Sequence, residues 1–171
     1  MTKNERVRRV ALLCCHCARN VAYYRAWWDG KELVTNDDFF RNANSNAVDI
    51  AVLEWCKLFS DPGGKHKWCK VVPEPDQFMP ELYAQLAIDK NFFDEHCQKT
   101  KTYRDKFLAH LDEERCMHIP DLTIVLKSVI FLYGILQDEY AAQLNNLPTE
   151  LGQYYKDCFT HGKRHATDQQ S

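Results

Sequence analysis

Residues 7–28, VRRVALLCCHCARNVAYYRAWW, carry the strongest hydrophobic periodicity in the chain. Apolar and small side chains recur there at alternating steps of three and four, which places them on one face of a helix. Glycine commonly follows the end of a helix, so the pattern predicts a first helix that ends at Gly30. The residues on its apolar face are Val7, Val10, Cys14, Cys17, Val21, Tyr24 and Trp28.

Similar spacing recurs along the rest of the chain, bounded by residues that typically start or stop helices. A second helix is predicted to begin after Thr35 or Asn36 and to stop at Asp61, and a long third helix to run from Met79 to His110 with a bend near Asp89. A fourth helix is predicted from Pro120 to Leu144, and a short fifth helix begins at Pro148. Short links and the lack of strand alternation predict an all-α, up-and-down bundle of four to five helices.

Length and composition favour a single folded domain. The chain has 171 residues, of which 45% are hydrophobic and 12% aromatic, enough to build one apolar core. The residues from Thr160 onward are mostly polar, which is typical of a disordered end. We therefore expect one helical domain over residues 1–159 and a flexible polar tail over 160–171.

Charge and targeting signals narrow the classes of function. The formal net charge is −2, so any site for a polyanion must be local. The most apolar stretch, 122–136, contains Lys127 and is shorter than the roughly 20 residues of a membrane-spanning helix. The N-terminal residues lack a signal-peptide pattern, so we expect a cytoplasmic protein without membrane contact, whose eight cysteines are reduced thiols.

The segment RDKFLAH, residues 104–110, is the strongest candidate for a functional site. Arg104 and His110 lie near the predicted end of the long helix, and Asp105 is the only acidic residue between Lys99 and Ala109. Three lysines in or just before this segment, Lys99, Lys101 and Lys106, make residues 99–109 locally positive and suited to phosphate. Six residues at about 100° each separate Arg104 from His110 by roughly 120°, so one helix alone does not bring them together.

This arrangement, an arginine, a polar residue and then a histidine near a helix end, resembles the signature of the HEPN ribonucleases. The wider string RDKFLAHLD, residues 104–112, is similar to the AbiU-type abortive-infection branch of that superfamily. The resemblance implies a HEPN-like bundle and a metal-independent endoribonuclease of toxin or phage-defence type, with no cofactor. It also implies a homodimer that forms one composite site, RNA as the substrate, and an antitoxin protein as an additional partner.

The resemblance also implies residue roles. His110 would transfer protons at the ribose 2′-OH and the leaving oxygen, and Arg104 would hold the phosphate. A guanidinium stabilises the negative charge that develops as the 2′-oxygen attacks phosphorus, giving a 2′,3′-cyclic phosphate without a metal. The residues themselves, apart from the resemblance, suggest that Asp105 orients Arg104 and that the positive patch of Lys99, Lys101 and Lys106 binds the RNA backbone.

Two positions depart from the family pattern. Asp105 stands where asparagine is common, and its negative charge opposes phosphate binding. Asp112 stands where the AMP-transferring branch has tyrosine, which disfavours AMP transfer. The alternatives are a catalytically silent HEPN-like module that binds a partner protein or a nucleotide, and a helical adaptor in which His110 is only a histidine at the edge of the core.

Three other features have competing interpretations. The cluster Cys14-Cys15-His16-Cys17 offers zinc-ligand side chains, but its spacing favours packing. Trp27 and Tyr23 lie off the first stripe and form either a partner-binding patch or ordinary core. The basic residues after Thr160 contact RNA or are simply solvated.

Overall fold

The computed structural model describes residues 1–35, 37–109 and 118–168, without the side chains of 107–109 and 167–168. Helices dominate these ranges, which confirms the all-α class. Six α-helices occur in the described part of the chain, more than the four to five expected. They are α1 (Lys3–Ala26), α2 (Asp38–Phe59), α3 (Pro75–Leu86), α4 (Lys90–Tyr103), α5 (Leu122–Tyr140) and α6 (Leu151–Asp168).

Shorter elements connect these helices. A two-stranded antiparallel hairpin of β1 (Trp28–Asp29) and β2 (Glu32–Leu33) follows α1. Two 3-10 turns span Trp68–Lys70 and Ala141–Leu144, and a π-helical turn spans Arg104–Ala109. None of the helices in the described ranges combines the length and the apolarity needed to cross a membrane.

Side-chain caps fix where the helices begin. Thr2 and Glu5 form a reciprocal capping box at the start of α1. Asp37, Asp89 and Asp121 accept backbone N–H bonds at the starts of α2, α4 and α5. An aspartate at these positions satisfies N–H groups that have no partner within the helix. The starts of α2 and α5 lie close to the positions that the sequence predicts, whereas the start of α4 falls within the predicted long helix.

The first helix lies at the centre of the fold and packs against α2, α5 and α6. Its predicted stripe is buried from Val7 to Val21. The helix ends at Ala26 rather than Gly30, because the chain turns into the hairpin and the Val34 N–H donates to the Trp27 carbonyl at 2.9 Å. Gly30 belongs to the hairpin turn, where its φ of +63° suits glycine.

The predicted long helix is two helices, α3 and α4, instead of one bent helix. Ala87 adopts a left-handed conformation with φ of +55°, which ends α3, and the Asp89 side chain caps α4. The apolar stripe nevertheless continues across the break. Its buried members are Leu82, Leu86, Phe93, His96, Thr100 and Tyr103.

Trp55 of α2 anchors α4 to the core. Its indole N–H donates to Ser128 Oγ of α5 at 2.8 Å, and its ring lies edge-on to His96 with centroids 5.0 Å apart. Phe59 and Phe93 pack around the same indole. This aromatic cluster fixes the buried face of α4, and so sets the direction in which the candidate motif leaves the helix.

The C-terminal helix extends further than the sequence pattern predicts. Residues 160–168, expected within a flexible tail, continue α6 as far as Asp168. Gly162 and Ala166 are buried, and a Cβ at Gly162 would lie 2.8 Å from the Ala26 Cβ. Tyr23 contacts this part of α6, and Trp27 packs edge-on against Phe40, so both off-stripe aromatic residues have packing partners within the chain.

Candidate functional site

The candidate motif begins at a change of helical geometry. Residues Arg104–Ala109 form a π-helical turn directly after α4. Such turns are rare, occur mostly within α-helices and are frequent at functional sites. The wider turn changes the angular positions of Arg104, Asp105 and Lys106 from those of an ideal α-helix.

Two carboxylates hold the Arg104 side chain. Its Nε donates to Asp105 Oδ1 at 2.8 Å, and its Nη1 forms an ion pair with Asp61 Oδ1. Nη2 makes no hydrogen bond to any residue in the described ranges. The side chain is only 18% exposed, so the guanidinium is held in one orientation at the protein surface.

The neighbouring carboxylates keep Arg104 charged and also weaken its attraction for anions. Burial lowers the pKa of Arg104, but the hydrogen bonds that Arg104 donates to Asp105 and Asp61 outweigh that effect and raise the pKa overall. Two carboxylates around one guanidinium give the group a formal charge of −1. Arg104 therefore offers an oriented hydrogen-bond donor to a phosphate, but the two carboxylates exceed its positive charge and weaken the attraction.

Asp61 is placed by the stop signal at the end of α2. Its backbone N–H donates to the Cys56 carbonyl at 3.0 Å, and its carbonyl accepts from the Gly64 N–H at 3.1 Å. This turn directs the carboxylate toward Arg104, 43 residues further along the chain. Asp61 was expected only as a helix terminator. An acidic residue at the end of a helix is only weak evidence for a functional site, and the neighbouring sequence does not indicate which basic side chain it pairs with.

A groove of about 460 Å³ lies beside the motif, between α4 and the start of α5. Lys99 of α4 and Lys106 of the π-helical turn both line it. Its volume is in the range of small-ligand sites. The other described lining residues are Phe92, Glu95, His96, Thr102, Tyr103, His118, Ile119, Pro120, Asp121 and Ile124.

Charges of both signs face this groove. Lys99 pairs with Glu95 at 3.7 Å, and the pair is exposed, so water screens it strongly. Asp121, the cap of α5, contributes a second carboxylate. The groove is thus an amphipathic surface with two lysines and not a uniformly basic channel, which favours a ligand with an anionic part and an apolar or aromatic part.

His96 forms the inner wall of the groove but belongs to the core. It is 4% exposed, and burial lowers the pKa of His96 to about 4, with a smaller opposing effect from Asp121. The imidazole is therefore neutral at physiological pH. Its contacts with Trp55 and Thr100 identify a packing role.

Tyr103 connects the groove to the second helix. Its hydroxyl donates to Asp49 Oδ1 at 2.6 Å, while its ring is almost completely buried. Burial and the Asp49 carboxylate both raise the pKa of Tyr103, so the hydroxyl stays protonated. This bond fixes the last residue of α4 just before the π-helical turn and so positions Arg104.

The structure divides the predicted site residues into two neighbouring groups. Arg104 and Asp105 lie together with Asp61, whereas Lys99 and Lys106 line the groove. Lys101, in the last turn of α4, is not among the described lining residues. His110, the predicted proton-transfer residue, lies outside the described residues.

The cysteine side chains at 14 and 17 in α1 are packed in the protein core. Cys14 and Cys17 are completely buried, and burial raises the pKa of both thiols. The Cys17 thiol also donates to the Ala51 carbonyl at 3.5 Å. Within the described ranges, no three His, Cys, Asp or Glu side chains are grouped to hold a metal ion, and the seven described cysteines are free thiols.

Comparison with known proteins found no relative of this chain. The chain matches no known protein-family model, no curated protein and no solved structure.

Proposed function

We propose that this chain is a metal-independent endoribonuclease of toxin or phage-defence type, which acts in the cytoplasm as a homodimer. The observation that carries the proposal is the fixed guanidinium of Arg104 at a π-helical turn, within a motif that resembles that of the HEPN ribonucleases. A pre-oriented, permanently charged donor is what phosphoryl-transfer catalysis requires, because such a donor needs no reorganisation as charge develops.

The proposed reaction uses the 2′-hydroxyl of RNA as its nucleophile. The 2′-oxygen attacks phosphorus and loses its proton to a base, the bond from phosphorus to the 5′-oxygen breaks, and that oxygen gains a proton. The products are a 2′,3′-cyclic phosphate and a 5′-hydroxyl. By the HEPN resemblance, His110 transfers these protons, and Arg104 Nη2 stabilises the charge on the phosphoryl oxygens.

The groove supplies binding energy next to this chemistry. Lys99 and Lys106 lie at positions that suit contacts with backbone phosphates, and the half-exposed ring of Phe92 offers a surface on which a base can stack. A composite site at a dimer interface would bring the groove and Arg104 of one protomer close to the motif of its partner. An antitoxin protein that covers this surface is part of the same proposal.

A cleavage assay tests the proposal. A single-stranded RNA incubated with wild-type protein in excess EDTA should be cut and leave cyclic-phosphate ends, whereas DNA of the same sequence should stay intact because it lacks the nucleophile. Arg104→Ala and His110→Ala should abolish cleavage, and the exposed arginine variant Arg41→Ala should cut like wild type. Intact RNA with folded wild-type protein would contradict the proposal.

Mixing the two inactive variants tests the composite site. If the site combines groups from both protomers, equal amounts of Arg104→Ala and His110→Ala should exchange subunits and recover part of the activity. Each variant alone serves as the control. No recovery in a mixture shown to contain heterodimers would contradict a shared site.

Replacement of Asp105 tests the effect of the surplus negative charge. Asp105→Asn keeps an acceptor for Arg104 Nε and removes one charge. We expect RNA affinity to rise about two- to fivefold, roughly 0.4–1 kcal/mol for a single surface charge. Binding should be measured by fluorescence anisotropy with the His110→Ala background to prevent cleavage. A loss of affinity would show that the Asp105 charge helps binding.

A second candidate is a non-catalytic module that binds a partner protein or a nucleotide through the same groove. The pairing of Arg104 with two carboxylates favours it, because that charge balance weakens phosphate binding. This candidate predicts that RNA or a nucleotide is bound but never cut, and that Lys106→Ala weakens binding. The EDTA assay above separates the two candidates.

A further inference from the structure

The C-terminal half of α6 carries a pair of histidines that the proposed ribonuclease site does not use. His161 and His165 are four residues apart, so they share one face of the helix. Both are exposed, their ring centroids are 4.5 Å apart, and their Nε2 atoms face each other at 3.2 Å.

We propose that His161 and His165 form a two-ligand chelate for a transition-metal dication of the zinc class. Two imidazole nitrogens that each bind one ion at about 2.0–2.1 Å lie roughly 3.3 Å apart at a tetrahedral angle. The 3.2 Å between the two Nε2 atoms matches that distance. The two Nε2 atoms lie at hydrogen-bond distance from each other. When both bind the ion, each neutral imidazole carries its one N–H proton on Nδ1, so a ring that had its proton on Nε2 transfers it to Nδ1 through water.

The helix turn that carries the pair is rigidly attached to the rest of the protein. Gly162 packs against Ala26 so closely that a Cβ would not fit, and Lys163 Nζ donates to the Trp28 carbonyl at 2.9 Å. The Tyr23 ring lies 6.5 Å from that of His161. Because these contacts hold the helix between the two histidines, little conformational freedom is lost when an ion binds.

Two of the nearby charged side chains, Lys163 and Asp157, are compatible with a bound cation, whereas the exposed Arg164 adds a positive charge next to His165. The Lys163 ammonium is directed toward the hairpin carbonyl, which draws it away from the two imidazoles. Asp157 lies one turn before His161 and adds a negative charge on the same side of the helix. The chain supplies two ligands, so water completes the coordination. We infer a role in clamping the last turns of α6, since the ion would join residues in successive turns.

Metal titration of the full-length protein without an affinity tag tests the chelate. Calorimetry with Zn²⁺ and with Ni²⁺ should give one saturable site per chain, Cu²⁺ should bind most tightly, and Mg²⁺ should not bind. His161→Gln and His165→Gln should each lower the affinity for Zn²⁺ by at least about tenfold, because loss of a ligand costs more than loss of an outer contact. His66→Gln, which removes a distant histidine, should bind as wild type does.

Thermal unfolding gives an independent readout. Zn²⁺ should raise the Tm of wild-type protein and of His66→Gln, but not that of His165→Gln, because only a folded helix presents both nitrogens. Circular dichroism shows whether each variant is folded before titration. The proposal is overturned by the absence of saturable binding, by unchanged affinity in His165→Gln, or by one ion bound per two chains, which would indicate a bridge between copies.

Discussion

His96 lies in the core between α4 and α2, although histidine is chemically suited to catalysis. Its ring contacts Trp55 at a centroid distance of 5.0 Å, and its Nε2 lies 3.4 Å from Thr100 Oγ1. Burial lowers the pKa of His96 to about 4, while Asp121 opposes and Lys99 adds to this shift. The neutral imidazole thus acts as a core aromatic residue, and its protonation is coupled to unfolding.

This coupling predicts a loss of stability in mild acid. The unfolded chain binds a proton at His96 near the ordinary pKa of about 6.5, whereas the folded chain binds it only near pH 4. Stability should therefore fall as the pH drops from about 6.5 to about 4, by as much as about 3 kcal/mol from this residue. Urea unfolding at several pH values measures the effect.

His96→Phe is the matched variant for this prediction. Phenylalanine keeps an aromatic ring beside Trp55 and cannot take up a proton, so the acid-induced loss over this pH range should be clearly smaller. The test is the change in stability with pH and not the stability at one pH, since His96→Phe also loses the contact with Thr100. Equal pH slopes for wild type and His96→Phe would show that other groups cause the acid sensitivity.

Individual residues differ in how well the sequence indicates their environment. Arg104 and Asp105 are neighbours in the chain, and Arg104 Nε donates to Asp105 Oδ1 at 2.8 Å. Asp61 was not expected in the site, because its partner lies 43 residues away. A residue type reports which bonds are available, but only the folded chain determines the partner.

At the scale of helices, the break between α3 and α4 depends on the backbone of Ala87. Its left-handed conformation costs free energy because its Cβ crowds the neighbouring backbone, and glycine avoids this cost. We expect Ala87→Gly to raise stability by about 0.5–1 kcal/mol. Thermal or urea unfolding provides the measurement.

Ala84→Gly is the control for that substitution. Ala84 is exposed within α3, so glycine there should lower stability by about 1 kcal/mol. Opposite signs at two alanines three residues apart would separate the conformation of the backbone from the loss of a methyl group. If both variants lose stability, the left-handed turn at Ala87 does not limit stability.

The packing of α6 on α1 depends on Gly162. An added Cβ would meet the Ala26 Cβ at 2.8 Å and Tyr23 Cδ1 at 3.2 Å, so the helices would have to separate. Gly162→Ala should lower stability by about 1–3 kcal/mol, as overpacking usually does. The measurement is again equilibrium unfolding.

Gly134→Ala should have the opposite effect. Gly134 is an exposed position within α5, and no atom lies within 4 Å of a Cβ placed there. The better helix propensity of alanine should raise stability by about 0.5–1 kcal/mol. If Gly162→Ala is as stabilising as Gly134→Ala, the close approach of α6 to α1 is not a constraint.

Periodicity identified most of the buried helical faces but not where the helices end. The stripes of α1 and α5 are buried over most of their length, because apolar spacing is a property of neighbouring residues. The same apolar spacing continues through Ala87, so it did not predict the break between α3 and α4. It also failed to mark the end of α6, where glycine and alanine pack closely without contributing strong hydrophobicity.

At the scale of the whole molecule, the proposed function requires RNA binding through a local surface. The net charge of −2 provides no general attraction, so the lysines of the groove must supply it. RNA affinity should fall steeply with added salt. The double variant Lys99→Ala/Lys106→Ala should reduce the slope of log affinity against log salt by about 2, one for each phosphate contact.

Lys127→Ala provides the control for this measurement, because Lys127 is exposed on α5 and is not among the described residues that line the groove. Its salt slope should match that of wild type. Sedimentation equilibrium under the same conditions should show a dimer, since the composite site requires two protomers. An active protein that is strictly monomeric would rule out that site.

The sequence by itself determined the helical class, the buried faces of most helices and the residue types of the candidate motif. These depend on interactions between residues close in the chain: apolar spacing, aspartate caps and turn residues. Only the tertiary structure decided the break at Ala87, the π-helical turn at Arg104, the pairing of Arg104 with Asp61 and the seating of α6 against Ala26. The last two are set by a charge pair and by close packing between residues distant in sequence, and local propensity contains no record of such contacts. The first two are uncommon backbone conformations that the residue types in those segments do not predict.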